Sequence, residues 1–222
     1  MKQELVIFGA GGFGREVLQV VRDLNEVTST WECLGFIADG AADEAPPVAG
    51  LPVLGGIHWL RAHPDVQVVV AVGSSCARRK IVQRIADAGC TNRFATLVHP
   101  RAWKGAGVEI GAGSVICAGA LITTDIRIGE HVHVNIGSTI GHDAVLEDFS
   151  TLNPSVNVSG NVHIGTGSEI GTGSVLIPHC RVGAWTIVGA GAVVTASLSG
   201  NATAVGAPAR IIKERPEGWH LA

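Results

Sequence analysis

Two hydrophobic rhythms follow one another along the chain. In the first, short apolar runs alternate with amphipathic stretches. "ELVIF" at 4–8 is uninterrupted, the pattern of a strand buried on both faces. It ends in the glycine turn "GAGGFG", after which Val17, Leu18, Val20, Val21 and Leu24 recur close to helical spacing. "ECLGFIADG" predicts a second strand ending at Asp39, "VQVVVAVG" a third, and "RRKIVQRIADAG" a helix closed by Gly89. The intervening "AADEAPPVAG" predicts a loop. Strands alternating with helices predict a small Rossmann-like parallel α/β unit, which we place at residues 1–97.

The second rhythm is stricter. From Ile110 to Val194 every sixth residue is aliphatic, fifteen positions without an insertion. A small residue stands two places earlier, as at Ser114, Ala120, Ser138, Ala144, Ser168, Ser174 and Ala192, and glycine follows many of the aliphatics, as at Gly111, Gly141 and Gly171. Hexapeptide repeats predict a parallel β-helix over 98–222: three hexapeptides close one triangular coil, aliphatics stack in ladders, and glycine or asparagine makes the corners. The 30 glycines and mean hydropathy of +0.34 belong to this architecture.

Charge and cysteine content narrow the partners. A net charge of −3 and a pI near 6.3 provide no basic stripe for nucleic acid. No run approaches the ~20 apolar residues of a membrane span, and a cytoplasmic protein is expected. Cys33, Cys76, Cys90, Cys117 and Cys180 are odd in number and lack a C-x-x-C spacing, which predicts reduced thiols.

Candidate chemistry centres on "STIGHDAVLE", where His142 and Asp143 follow Gly141 at an expected corner. A neutral imidazole can take a proton from an attacking amine or hydroxyl, and an adjacent carboxylate stabilises the imidazolium formed. Position alone favours a corner histidine that only bonds a neighbour. Zinc shared between coils, the other use of β-helix histidines, needs ligands about 18 residues apart, and none of His131, His133, His142, His163 and His179 stacks on another histidine, so no metal is expected. "GAGGFG" matches G-x-G-x-x-G through Gly9, Gly11 and Gly14 between a strand and a helix, where backbone amides receive a phosphate. The unit is too short for a two-half dinucleotide domain, so a nucleotide-sugar pocket fits better. Gly73, Ser74 and Arg78 follow the next strand on the same carboxyl edge; the alternative for Arg78 is a solvated helix start.

The repeat resembles the left-handed β-helix of hexapeptide acyltransferases, and "VGAPARIIK" resembles the G-x-P-A ending of many of them. With its "GAGGFG" unit the whole chain is similar to the sugar O- and N-acetyltransferases of the sialic acid acetyltransferase and bacillosamine-pathway type. "GHDAVLEDFSTLNPSVNVSGNVHIG" carries the most specific likeness. The resemblance implies His142 as general base with Asp143 in support, nucleotide contacts at Gly12, Phe13, Gly14 and Asp39, and acetyl-CoA along the coil beside another subunit of a homotrimer. It places CoA near Thr172, Ala190 and Pro208, and near Thr151, where some relatives have histidine. Asn135, on the coil before His142, is expected to orient the acceptor or the thioester carbonyl. Arg210 and Lys213 are surface charges within reach of a CoA phosphate. The activity implied is acetyl-CoA-dependent N-acetylation of a nucleotide-linked amino sugar in polysaccharide biosynthesis; the alternatives are sialic acid or other sugar O-acetylation, and a non-catalytic trimeric sugar-nucleotide binder.

Overall fold

The computed structural model describes residues 2–40 and 46–221; the first half of the expected loop at 41–50 lies outside the described residues. The amino-terminal unit is β1 (Gln3–Phe8), α1 (Gly12–Thr28), β2 (Trp31–Ile37), β3 (Val53–Gly55), α2 (Ile57–Ala62), β4 (Gln67–Val70) and α3 (Ser75–Asp87). The sheet is parallel, in the order β3-β2-β1-β4. Leu5, Val6, Ile7, Val68, Val69 and Val70 are fully buried, as a strand covered by helices on both faces requires. α1 buries Gly14, Val17, Leu18, Val20 and Val21. β3 and α2 were not predicted: each is too short for its periodicity to stand out.

The strand order reverses at β1 and β4, so the crevice at a topological switch point falls between the loops after Phe8 and Val70. Two glycines of the motif are demanded by the fold itself. A Cβ on Gly14 would overlap the Gly9 carbonyl oxygen, and one on Gly9 would stand 2.7 Å from the Ala71 oxygen. Gly11 and Gly12 face open space, with nothing nearer to a Gly12 Cβ than Arg15 at 4.0 Å.

Beyond Ala95 the chain winds into a three-faced coil. Residues 18 apart pair in parallel register, for example Ile128 with Leu146 and Leu146 with Ile164. From Ile116 onward the every-sixth-residue aliphatics are all buried, each contributing about 1.5–3 kcal/mol of transfer free energy. The small residues two places earlier are buried as well. Ser114 shows why a hydroxyl is tolerated there: its Oγ donates to the Gly129 carbonyl (2.8 Å) and accepts from the Val132 amide (2.9 Å). The first rung is Leu97–Val98, paired with Val115 and Ile116, so the boundary drawn at 97/98 passes through it.

The corners differ from expectation in one respect. Every sixth residue from Gly107 to Gly191 has positive φ, and this series includes Asp125, His131, Asp143, Phe149, Asn161 and Trp185. The left-handed residue at the His142 corner is therefore Asp143 (φ 59°), not Gly141. Gly141 is needed for another reason: a Cβ there would stand 2.6 Å from the Gly160 amide of the next coil. Among the described residues no helix is long and apolar enough to cross a membrane.

Candidate active site

His142 and Asp143 project from one edge of the coil with their side chains 61% and 56% exposed. The imidazole Nδ1–H donates to Asp143 Oδ2 at 2.7 Å, which leaves Nε2 bare and able to accept a proton. The ring lies over Gly160, where a Cβ would stand 2.6 Å from Nε2. Asn161 donates its amide to the His142 carbonyl at 2.8 Å, tying the corner to the coil beneath it.

The sequence candidates fall into three other places. At the switch point Gly12, Gly73 and Ser74 are exposed, and Ser74 Oγ accepts from the Ala77 amide at the start of α3. Asp39 closes β2 beside them, bound to Arg84 at 2.9 Å and accepting from the Ile57 amide at 3.3 Å. Phe13 turns its ring toward the coil, 4.8 Å from His133. A second corner brings Thr172 and Ala190 together: both are exposed, the Gly191 amide donates to the Thr172 carbonyl at 2.8 Å, and exposed Pro208 follows just before Ala209 joins Val193. Ala118, Ile136 and Pro154 continue this corner in the opposite direction, bonded coil to coil in the same way.

Three candidates are placed otherwise than expected. Arg78, read as a ligand-facing or solvated residue, is fully buried between the two units. Its guanidinium donates to the carbonyls of Val72, Gly73, His131, Phe149 and Ser150, to Thr151 Oγ1 and to His133 Nδ1, at 2.7–3.2 Å. Burial lowers its pKa to about 9, so it stays charged at neutral pH and fastens α3 to the coil. Thr151, expected beside CoA, is 2% exposed and bonds Arg78 and Ser75 instead. Asn135, expected to face the acceptor, is 8% exposed and donates to the Leu152 carbonyl at 2.7 Å, a rung-to-rung bond that Asn153 repeats to Ile170.

Sequence reasoning passed over a polar network beside the dyad. Glu147 accepts from His163 Nε2–H at 2.7 Å and from the Thr166 amide and hydroxyl at 2.9 and 2.7 Å. Burial alone would raise its pKa; these bonds outweigh it and hold the carboxyl below its usual range. Arg181 in turn donates to His163 Nδ1 at 3.1 Å. The signal was the 18-residue offset between His163 and Arg181, which predicts the contact once it is read for hydrogen bonding as well as for metal ligation.

A hexapeptide coil that carries an exposed histidine–carboxylate pair, with a switch-point α/β unit packed against it, is the architecture of a two-unit hexapeptide-repeat acyltransferase. Residues 4–85 match the family of the PglD N-terminal domain. The chain is 32% identical over 151 residues to the GDP-perosamine N-acetyltransferase of Escherichia coli O157:H7, a stretch that spans 67% of this chain and 66% of that protein. Its fold matches the perosamine N-acetyltransferase of Caulobacter crescentus, solved as a histidine-to-asparagine variant with CoA and GDP-perosamine, with a TM-score of 0.85, 30% identity and coverage of 95% and 97% of the two chains. It also matches the acetyltransferase domain of PglB from Neisseria gonorrhoeae in complex with acetyl coenzyme A, with a TM-score of 0.83, 30% identity and coverage of 96% and 100%. The chain belongs to the acetyl-CoA-dependent nucleotide-sugar N-acetyltransferases of the hexapeptide-repeat superfamily, and its coil is the left-handed β-helix of that group.

Proposed function

We propose that His142 is the general base of this N-acetyltransferase and Asp143 its orienting partner. The observation that carries the reading is the 2.7 Å bond from Nδ1–H to Asp143 on an exposed corner, which leaves Nε2 without a hydrogen-bond partner among the described residues. The amine of the nucleotide-linked sugar attacks the acetyl carbonyl of acetyl-CoA while Nε2 takes its proton. A C–N bond forms, the C–S bond breaks, and the proton returns from the imidazolium to the departing CoA thiolate. Asp143 stabilises the imidazolium in between. A backbone amide near the coil groove meets the tetrahedral oxyanion. No covalent enzyme intermediate is needed.

The nucleotide is assigned to the β1/β4 crevice, at Gly12, Gly73 and Ser74 with Asp39 alongside, because these groups are open at the carboxyl ends of the strands. CoA is assigned to the corner of Thr172, Ala190 and Pro208. Within one chain this corner and the His142 corner flank the same coil face, on which Trp103 and Leu121 are exposed at 57% and 46% and Val175 at 36%. An apolar face of this kind, left clear by the amino-terminal unit, supports a homotrimer in which the two corners of neighbouring subunits meet. The five free thiols suit a cytoplasmic setting.

The test is incubation of the full chain with acetyl-CoA and UDP-, GDP- and dTDP-linked amino sugars, following free thiol. At least one sugar should release CoA and gain an amide, and the matching sugar without the amine should not react. Thiol release with hydroxyl sugars alone would overturn the amine assignment.

A further inference from the structure

A cavity of about 420 Å³ opens on the outer face of the coil beside the dyad, bordered by Asp143, Asn161, Arg127, His163 and Arg181. Val145 lies between Arg127 and His163 in the strand register, and Arg181 follows His163. The distribution of hydrogen bonds inside it is uneven. Both carboxylates already accept: Asp143 from His142, and Glu147 from His163 and Thr166 through both of its oxygens. The donors are not matched in this way. Arg181 uses one guanidinium nitrogen toward His163 Nδ1, and that acceptor role, with Nε2–H directed to Glu147, fixes the imidazole tautomer and the direction of Arg181. The side chains of Arg127 and Asn161 have no hydrogen-bond partner among the described residues.

We propose that this cavity seats a phosphoryl group of one of the two substrates, held by the guanidinium forks of Arg127 and Arg181 with the Asn161 amide between them. Planar forks with several free N–H groups match an oxyanion bidentately, and a seat bordering Asp143 would fix the substrate relative to the base. The inference rests on the reading of His142 and Asp143 as the dyad. Two sources share the chemistry: the phosphates of CoA and, reaching the cavity from the β1/β4 crevice of a neighbouring subunit of the proposed trimer, the diphosphate of the nucleotide-linked acceptor.

Binding distinguishes them without requiring transfer, so a failure of the catalytic assignment leaves this test intact. The full chain and its Arg127→Ala and Arg181→Ala variants are titrated calorimetrically with GDP, UDP and dTDP, with CoA, and with dephospho-CoA, which lacks the 3′-phosphate. Both side chains are exposed, and circular dichroism checks that the variants remain folded. Each variant should weaken one ligand class by at least ~10-fold, the scale of a lost charge-assisted pair, and leave the other within ~2-fold. Weaker nucleoside diphosphate binding assigns the seat to the acceptor. Weaker CoA binding assigns it to CoA, at the 3′-phosphate if dephospho-CoA is unaffected and at the diphosphate if it is weakened equally. Unchanged affinity for both classes, or equal weakening of both, overturns the proposal.

Discussion

The corner at Glu130–His131 and the corner at His142–Asp143 occupy equivalent slots of the repeat, with left-handed residues at φ 54° and 59°. Their surroundings could hardly differ more. His131 is 2% exposed, packed edge-on to Phe94 at 4.5 Å and stacked on Phe149 at 5.1 Å, under the amino-terminal unit. His142 stands in solvent with a carboxylate for company. Burial and the Arg78 charge depress the His131 pKa to about 4 and push that of His133 well down, so both are neutral packing groups. Equivalent corners of the repeat thus hold a buried, structural imidazole in the left-handed slot where a second unit covers it, and an exposed imidazole one place before that slot where the described residues leave it open. What separates them is the buried guanidinium of Arg78, which joins α3 to one corner and leaves the other free.

The most damaging way to break this contrast is to remove the junction. Arg78→Met leaves five carbonyls, Thr151 and His133 short of a donor, and we expect a loss of at least ~3 kcal/mol in denaturant unfolding. A loss below ~1 kcal/mol would show that water replaces the guanidinium and that the junction rests on apolar packing.

Removing the proposed base at the open corner should do the reverse. His142→Ala is expected to lower kcat at least ~100-fold while the melting temperature and CoA affinity stay near those of the native chain. Near-native turnover would remove His142 from the mechanism.

The glycine turn offers a smaller, one-sided effect. Gly12 has room for a side chain within the fold, so Gly12→Val should fold normally and raise KM for the nucleotide sugar ~10-fold, through intrusion on the phosphates, with little change for acetyl-CoA. Equal loss for both substrates would move the nucleotide elsewhere. Gly14→Ala, by contrast, should destabilise the fold, because its Cβ meets the Gly9 carbonyl.

Acidification acts on the covered corner alone. An unfolded histidine binds its proton near pH ~6.5, whereas folded His131 resists protonation to about 4. The unfolded chain therefore gains protons first, and stability is present above pH ~6.5 and lost as pH falls toward 4, by up to ~1.4 kcal/mol per pH unit for each such group. His131→Phe keeps the ring packing, in a slot that Phe149 already occupies at φ 60°, and should flatten the dependence of urea unfolding between about pH 7 and pH 5. An unaltered slope would assign the acid sensitivity to other groups.

Much of this molecule was determined by its sequence alone. The coil, its 18-residue register and the corner position of His142 and Asp143 follow from a period that each rung repeats, because a β-helix residue meets neighbours at a fixed sequence offset. The strand, glycine turn and helix at the amino terminus follow from equally local rules. Tertiary structure decided which corners are covered. Arg78, Thr151 and Asn135 have the composition of ligand contacts, yet docking of one unit on the other and coil-on-coil carbonyls claim their polar groups. His131 and Asp143 have the same local backbone and opposite exposure because burial depends on α3 and Phe94, more than 30 residues away along the chain in a contact that no period encodes.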